Sequence, residues 1–330
     1  MKKKILVVSH DAGGANILAS LVKKNKGDFK WLLYLAGPAK KIFLEKKISI
    51  YAEALHLKNH RIEKILKLFQ PDLVLTGSGG GSSLEIDFIK SAKKNNIKTA
   101  CFLDHWINYR ERFGYPGDWK MNLPDYIFVG DRWAYRIALK NGFPKKIILQ
   151  IKNPYFEESL EQAKKVEQNN KKQHQNKKMR ILYISEPIFQ SALKKYRNSH
   201  YFGYTEYEVI KDLLKIIKSR SMGILLELKI RLHPAEKINK YSEMLKSERY
   251  KRIRKLVSIS NPARNLLVQD CIWADIVIGS SSMALFIAFI VGKKVISYIP
   301  TNKQVFSFPQ KEIKRINSRK ELLKEINGDK

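Results

Sequence analysis

Two α/β units, each built on a parallel sheet, are what this chain of 330 residues predicts, and three observations carry the prediction. Short apolar runs alternate with amphipathic stretches in both halves, the pattern of parallel strands covered by helices. Residues 167–178, from Glu167 to Lys178, contain almost no apolar side chain and separate the halves as a segment that cannot bury itself. Several apolar runs end directly in Gly, Ser, His or Asp, and ligands of open α/β sheets bind beyond such strand ends.

In the first half, residues 5–8 read as a strand and residues 15–24 as its covering helix. Residues 29–35 form the second strand. Ile62, Ile65, Leu66 and Phe69 recur at helical spacing and predict one buried stripe. Residues 71–76 enter a third strand that ends in the Gly/Ser run 77–83, and a helix follows over 84–95. Residues 99–103 return as a strand into Asp104-His105-Trp106. Residues 126–129 read as the last strand of this half, and 132–140 as a helix closed by Gly142. In the second half the alternation restarts: strand 180–184, helix 207–219, strand 225–231, strand 276–278, helix 283–291 and strand 294–298. The expected organisation is a first domain over 1–158, a polar linker over 159–178 and a second domain over 179–330. The two sheets are expected to face each other across a cleft, with the last helix packing back on the first domain.

Composition narrows the classes. The apolar run at 5–8 is cut at once by Ser9-His10-Asp11, and the longest apolar run, 284–291, is far short of the ~20 residues of a membrane span. Cys101 and Cys271 both fall in apolar segments and read as core thiols of a reducing compartment, so a cytoplasmic location is expected. The net charge of +32 fits either a solvated lysine-rich surface or attraction to a negative partner. The basic stretches 246–255 and 311–324 favour peripheral contact with the anionic inner face of the cytoplasmic membrane, or an acidic polysaccharide. Nucleic acid is not expected as a partner, because no zinc-finger, helix-turn-helix or RNP-type pattern occurs.

The chemistry-bearing motifs sit at strand ends. His233 and Pro234 close strand 225–231, and proline keeps the preceding residue extended. Ser280, Ser281 and Ser282 open the next helix, where unpaired N–H groups and the helix dipole favour an anion. Capping explains one of these serines, and packing on its own domain is the alternative for His233. Together they predict a phosphate pocket, with Ser185 and Glu186, before Pro187, placed for a base or ribose.

In the first half, Asp11, Glu85 and Asp104 are candidates for a general base, each able to serve instead as a cap or an ion-pair partner. Gly13 and Gly14 allow close approach of a ligand. His10, His105, Arg110 and Arg112, the last three in an aromatic- and arginine-rich loop, suit sugar and anion recognition or plain packing. The glycines match neither a dinucleotide fingerprint nor a Walker loop, so no cofactor is expected. His10-Asp11 lacks further ligands at recognisable spacing, so no metal is expected.

The order His10-Asp11-Ala12-Gly13-Gly14-Ala15, then 102–113 (FLDHWINYRERF), 123–131 (LPDYIFVGD), Arg231-Leu232-His233-Pro234 and 274–285 (ADIVIGSSSMAL) resembles the GT-B superfamily of glycosyltransferases. The His-Pro and serine motifs are similar to those of bacterial sialyl-, Kdo- and CDP-glycerol-type transferases of capsule and lipopolysaccharide synthesis. The resemblance implies a metal-independent, inverting transferase. His233 and Ser280–Ser282 would hold the phosphate of a CMP- or CDP-linked donor, and a glycan or glycolipid would be the acceptor. Asp11 is the first choice of base, with Glu85 and Asp104 behind it, and the acceptor would meet His10, Gly13, Gly14, His105, Arg110 and Arg112. An epimerase or hydrolase of the same fold, or an inactive nucleotide-sugar-binding protein, is the alternative. Two departures stand out: Ile287 occupies the place of a donor-gripping glutamate, and no paired acidic-acidic-Gly motif is present.

Overall fold

The computed structural model describes residues 1–48, 60–79, 82–170, 178–219, 226–303 and 306–327. The chain forms two compact units, Met1–Glu158 and Ser159–Lys330.

The first unit contains β1 (Lys4–Ser9), α1 (Ala12–Lys24), β2 (Lys30–Leu35), α2 (Gly37–Glu45), α3 (His60–Phe69), β3 (Leu73–Thr76), α4 (Leu84–Lys94), β4 (Lys98–Leu103), β5 (Tyr126–Val129), α5 (Arg132–Lys140), β6 (Ile148–Gln150) and the start of α6 (Pro154–Asn170). Its six strands are parallel in the order β2-β1-β3-β4-β5-β6. Side chains of a strand alternate between faces, and β1 divides its residues accordingly. Ile5 and Val7 pack with Ala15, Leu18 and Phe43 of α1 and α2. Leu6 and Val8 pack with Ile62, Leu66 and Phe88 of α3 and α4. Phe43 and Phe88 are fully buried, each contributing ~2–3 kcal/mol of apolar burial.

The second unit contains β7 (Met179–Ile184), α7 (Ile188–Tyr196), α8 (Glu206–Ser219), β8 (Leu226–Arg231), α9 (Ser242–Lys246), β9 (Val257–Ser260), α10 (Leu267–Trp273), β10 (Ile276–Gly279), α11 (Met283–Ile290), β11 (Lys294–Tyr298), β12 (Lys314–Ile316) and α12 (Arg319–Asn327). Its parallel order is β12-β11-β10-β7-β8-β9. The fold is therefore α/β with two six-stranded parallel sheets, as expected.

The structure adds elements that the sequence reading lacks, β6, β9 and β12 among them, and residues 159–178 take the exposed-helix form of the linker reading in their first part. The strand at 126–129 is followed by a further edge strand, β6. The expected linker begins as helix, since α6 continues to Asn170 with Ser159 and Ala163 buried; residues 171–177 lie outside the described residues, as do Gly80, Gly81 and Leu225. Leu322 and Ile326 of the last helix are buried in the core of the second unit itself.

Candidate functional site

Each sheet reverses its direction of growth at one point, between β1 and β3 in the first unit and between β7 and β10 in the second. Strand-end loops diverge there and leave a crevice. Both crevices are lined by residues singled out from the sequence.

In the first unit, β1 delivers His10 and Asp11, β3 delivers Ser78 and Gly79, β4 delivers Asp104, and the first turn of α4 supplies Glu85. Glu85 is buried and binds His10 twice. Its Oε1 accepts from the His10 backbone N–H at 2.9 Å, and its carboxylate lies 2.6 Å from Nδ1. Burial alone would lower the His10 imidazole, but the hydrogen bond and charge of Glu85, with Asp11, outweigh it and raise the imidazole. Asp104 pairs with Arg112, whose Nη1 also donates to the Ser78 carbonyl at 2.7 Å and the Ser78 hydroxyl at 2.9 Å.

Asp11 caps α1, with Oδ2 a long 3.5 Å from the Gly14 N–H. Its Oδ1 and the fully buried Ser9 hydroxyl have no hydrogen-bond partner among the described residues. Burial pushes the Asp11 carboxyl up to about 6. The charges of Asp104 and Glu85 add to that rise, while His10 and Arg112 oppose it. A carboxyl poised near neutrality can both accept and return a proton.

Close backbone approach makes this packing possible. A Cβ on Gly13 would stand 1.6 Å from Asp104 Oδ2, and one on Gly79 2.6 Å from the His10 ring. His10, Asp11 and Glu85 also bring three potential metal donors within 4.8 Å of one another. Nδ1 of His10 is already engaged by Glu85.

The remaining first-unit candidates turn to the protein. Arg110 donates from Nε to the Asn141 carbonyl at 2.6 Å and stacks over Trp119. His105 Nδ1 accepts from the Trp106 N–H at 2.9 Å. Arg112 is absorbed by Asp104 and Ser78.

In the second unit, Ser185 and Glu186 follow β7, His233 and Pro234 follow β8, and Ser280–Ser282 follow β10. His233 Nδ1 accepts from the Ala235 N–H at 3.1 Å, which leaves Nε2 as the ring's donor. Burial lowers the imidazole, with Glu236 opposing and Lys240 adding, so it is neutral at pH 7. Three residues absent from the sequence reading complete this end of the sheet. Glu236 accepts from the His233 N–H at 2.8 Å and the Ser185 hydroxyl at 2.9 Å. Tyr241 is hydrogen-bonded to Ser185 at 2.5 Å. Lys240, buried, pairs with both Glu236 and Glu206. Residues 234–240 form turns and no helix, so no period in the sequence marks Glu236 and Lys240.

The serine turn is already engaged. Glu186 Oε1 accepts from the backbone N–H groups of Ser280, Ser281 and Ser282 at 3.1, 2.8 and 3.1 Å. Oε2 accepts from the Ser281 hydroxyl at 3.1 Å. Burial raises the Glu186 carboxyl against these donors. Of the three serines, Ser282 is the cap, accepting from the Ala284 N–H at 3.2 Å. Ile287 is fully buried in the apolar body of α11.

No protein-family model matches the chain, and no curated protein sequence does. Solved structures do match. The UDP-GlcNAc 2-epimerase of Methanocaldococcus jannaschii is 15% identical with a TM-score of 0.65, covering 98% of this chain and 92% of that one. The UDP-N-acetylglucosamine 2-epimerase of Rickettsia bellii is 14% identical with a TM-score of 0.63, covering 100% and 89%. HepE of Anabaena, in complex with UDP-glucose, is 12% identical with a TM-score of 0.61, covering 98% and 89%.

The chain therefore has the GT-B-like two-domain fold of UDP-GlcNAc 2-epimerases. This corrects the expectation of a glycosyltransferase. The matching 2-epimerases are isomerases and not sialyl-, Kdo- or CDP-glycerol-type transferases, and the capsule and lipopolysaccharide roles have no support.

Proposed function

We propose that this protein is a nucleotide-sugar epimerase, or a hydrolase of the same fold, acting on a nucleoside-diphosphate sugar without an acceptor. The observation that carries the reading is Asp11. It is a half-buried carboxyl raised to about 6, with one buried oxygen unpartnered among the described residues, between Glu85 and Asp104 at the growth-reversal point of a parallel sheet. In an acceptor-free epimerisation the C2 proton leaves as the C1–O bond to the nucleotide breaks, and a proton returns to the opposite face of C2 as that bond re-forms. A carboxyl near neutrality can take the first proton or deliver the second. Asp11 would exchange the proton, Glu85 would fix His10, and Arg112 would fix Asp104. In the second unit, the Nε2–H of His233 is a donor suited to a nucleotide phosphate.

The likeness to UDP-sugar enzymes supports UDP as the nucleotide. The Methanocaldococcus jannaschii enzyme is seen with UDP-GlcNAc and UDP, and HepE with UDP-glucose.

The test is incubation with UDP-GlcNAc and other nucleotide sugars, without acceptor, followed by proton NMR. A C2 epimer or free sugar with UDP is expected, and both should vanish in Asp11→Asn. No conversion of any nucleotide sugar would overturn the reading. Stabilisation by nucleotides without turnover would instead support a binding protein, which the apolar Ile287 favours. The basic surface is proposed to hold the protein on anionic membranes, which salt-sensitive sedimentation with anionic liposomes checks.

A further inference from the structure

The turn after β10 is a complete anion-binding site, and the anion in it belongs to the chain. Three successive backbone N–H groups converge on one oxygen of Glu186, and the Ser281 hydroxyl binds the other. These donors are not needed to start α11, because Ser282 caps it from its own side chain. Nor is the arrangement a local turn, since Glu186 lies 94 to 96 residues away in sequence. It reaches the turn because β7 and β10 are neighbours at the growth-reversal point. A Cβ on Gly279 would come within 3.1 Å of the Ile184 carbonyl, so a larger residue would push the two strand ends apart by a few tenths of an ångström. At the same turn the Ser280 hydroxyl is fully buried, meets no partner at ordinary hydrogen-bond geometry among the described residues, and lies beside Tyr204. Converging N–H groups at a helix start, with adjacent hydroxyls, are the donor set that phosphate oxygens seek.

We propose that Glu186 occupies the place of a ligand phosphate, so that a phosphate group binds at Ser280–Ser282 only by displacing this carboxylate. Glu186 thereby sets affinity by internal competition. The inference rests on the nucleotide-sugar reading for the identity of the ligand, but the competition itself does not. A residue that served only to hold the turn would, on removal, loosen α11 without creating a new affinity.

The experiment is titration of inorganic phosphate, and separately of UDP, into wild type, Glu186→Ala and Glu186→Gln, by calorimetry and phosphorus NMR. Glu186→Ala should bind inorganic phosphate at least about tenfold more tightly than wild type, since a charged competitor for charge-assisted bonds is gone. Glu186→Gln, which fills the same space without charge, should gain less. It decides the matter if the alanine variant fails to fold, as judged by circular dichroism. Adding Ser281→Ala to Glu186→Ala should reverse part of the gain. The proposal is overturned if the folded variants bind phosphate no tighter than wild type, or if none binds it.

The UDP arm separates the two ideas. A phosphate gain without UDP binding by any form keeps the competition and discards the nucleotide. UDP binding by wild type that is equal or weaker in the variants keeps the nucleotide and discards the competition.

Discussion

Around Asp11, three carboxylates meet one imidazole and one guanidinium, and one carboxylate oxygen is left without a partner. Around Ser185, the carboxylates of Glu186, Glu206 and Glu236 are all held, by backbone N–H groups, hydroxyls and Lys240. Both clusters sit at the growth-reversal point of a six-stranded parallel sheet, so the difference lies in the side chains and not in the fold. An unsatisfied buried carboxyl costs stability and persists where chemistry uses it. A satisfied network rigidifies the loops it joins. The two clusters thus differ in how far their carboxylates are satisfied: one oxygen of Asp11 is open, whereas Glu186, Glu206 and Glu236 are all bound.

Asp11→Asn breaks the comparison most strongly. If Asp11 exchanges the proton, turnover should fall by ~10²–10⁴-fold, read as the rate of acceptor-free conversion. Stability should move the other way. The folded-state carboxyl titrates at about 6, above its ordinary range, so the folded protein disfavours the ionised form, and stability drops as pH climbs through that window. The amide removes this penalty. Asp11→Asn should therefore be more stable than wild type above pH ~7, by about 1–3 kcal/mol, and no more stable below pH ~4. Thermal melts at both ends check the sign. A variant that loses activity and stability together would make Asp11 an ordinary cap.

Lys240→Met is the opposite case. It leaves Glu206 and Glu236, both buried, without their shared cation, and losing one partner of a buried ion pair costs ~3–5 kcal/mol. Urea unfolding should show that loss. A shift under about 1 kcal/mol would mean that the second cluster is not the rigid one.

These two variants also mark what the sequence makes legible. Strands β1, β3, β4, β7 and β10 are largely buried apolar runs, and β8 alternates Leu, Leu and Ile with Glu, Lys and Arg, so period and length identify them directly. The edge strands β6 and β12 are three residues long with two of the three exposed, too short for a period to identify them. The short β9 alternates Val, Ser, Ile and Ser and reads equally well as loop. Asp11, Glu85 and Asp104 are visible as strand-end or helix-start carboxylates, but not their grouping. Glu85 meets His10 across 75 residues only because β1 and β3 are adjacent. Likewise Ser280–Ser282 read as an anion site, while the identity of the resident anion depends on β7 lying beside β10. Local chemistry is written along the chain. Which groups share a crevice is decided by strand order, which no local pattern encodes.

Glu158 gives a smaller effect with the sign opposite to Asp11. Lys46, Ser20 and Lys23 bind its carboxylate. Burial would raise it, but these partners prevail and hold it down at about 2. Its contribution is therefore present above the ordinary carboxylate range and is lost as pH falls towards 2. Glu158→Gln should cost about 1–2 kcal/mol at neutral pH and little in acid, the mirror of the Asp11 profile. A parallel profile for the two variants would show that neither carboxyl behaves as its surroundings dictate.

The smallest effect separates the serines. Ser282 caps α11 through its hydroxyl, whereas the Ser281 hydroxyl serves Glu186. Loss of a helix cap costs about 1 kcal/mol, so Ser282→Ala should lower stability by that amount while leaving the three N–H bonds to Glu186 in place. Ser281→Ala removes a bond to a charged group that three other donors still satisfy, so its cost in stability should be smaller. Its effect should instead appear in phosphate binding once Glu186 is removed. Chemical denaturation of the two single variants, beside phosphate titration of each in the Glu186→Ala background, reads both quantities. If Ser281 carries the larger stability loss, the hydroxyl holds the fold and the turn is a structural joint between β7 and β10.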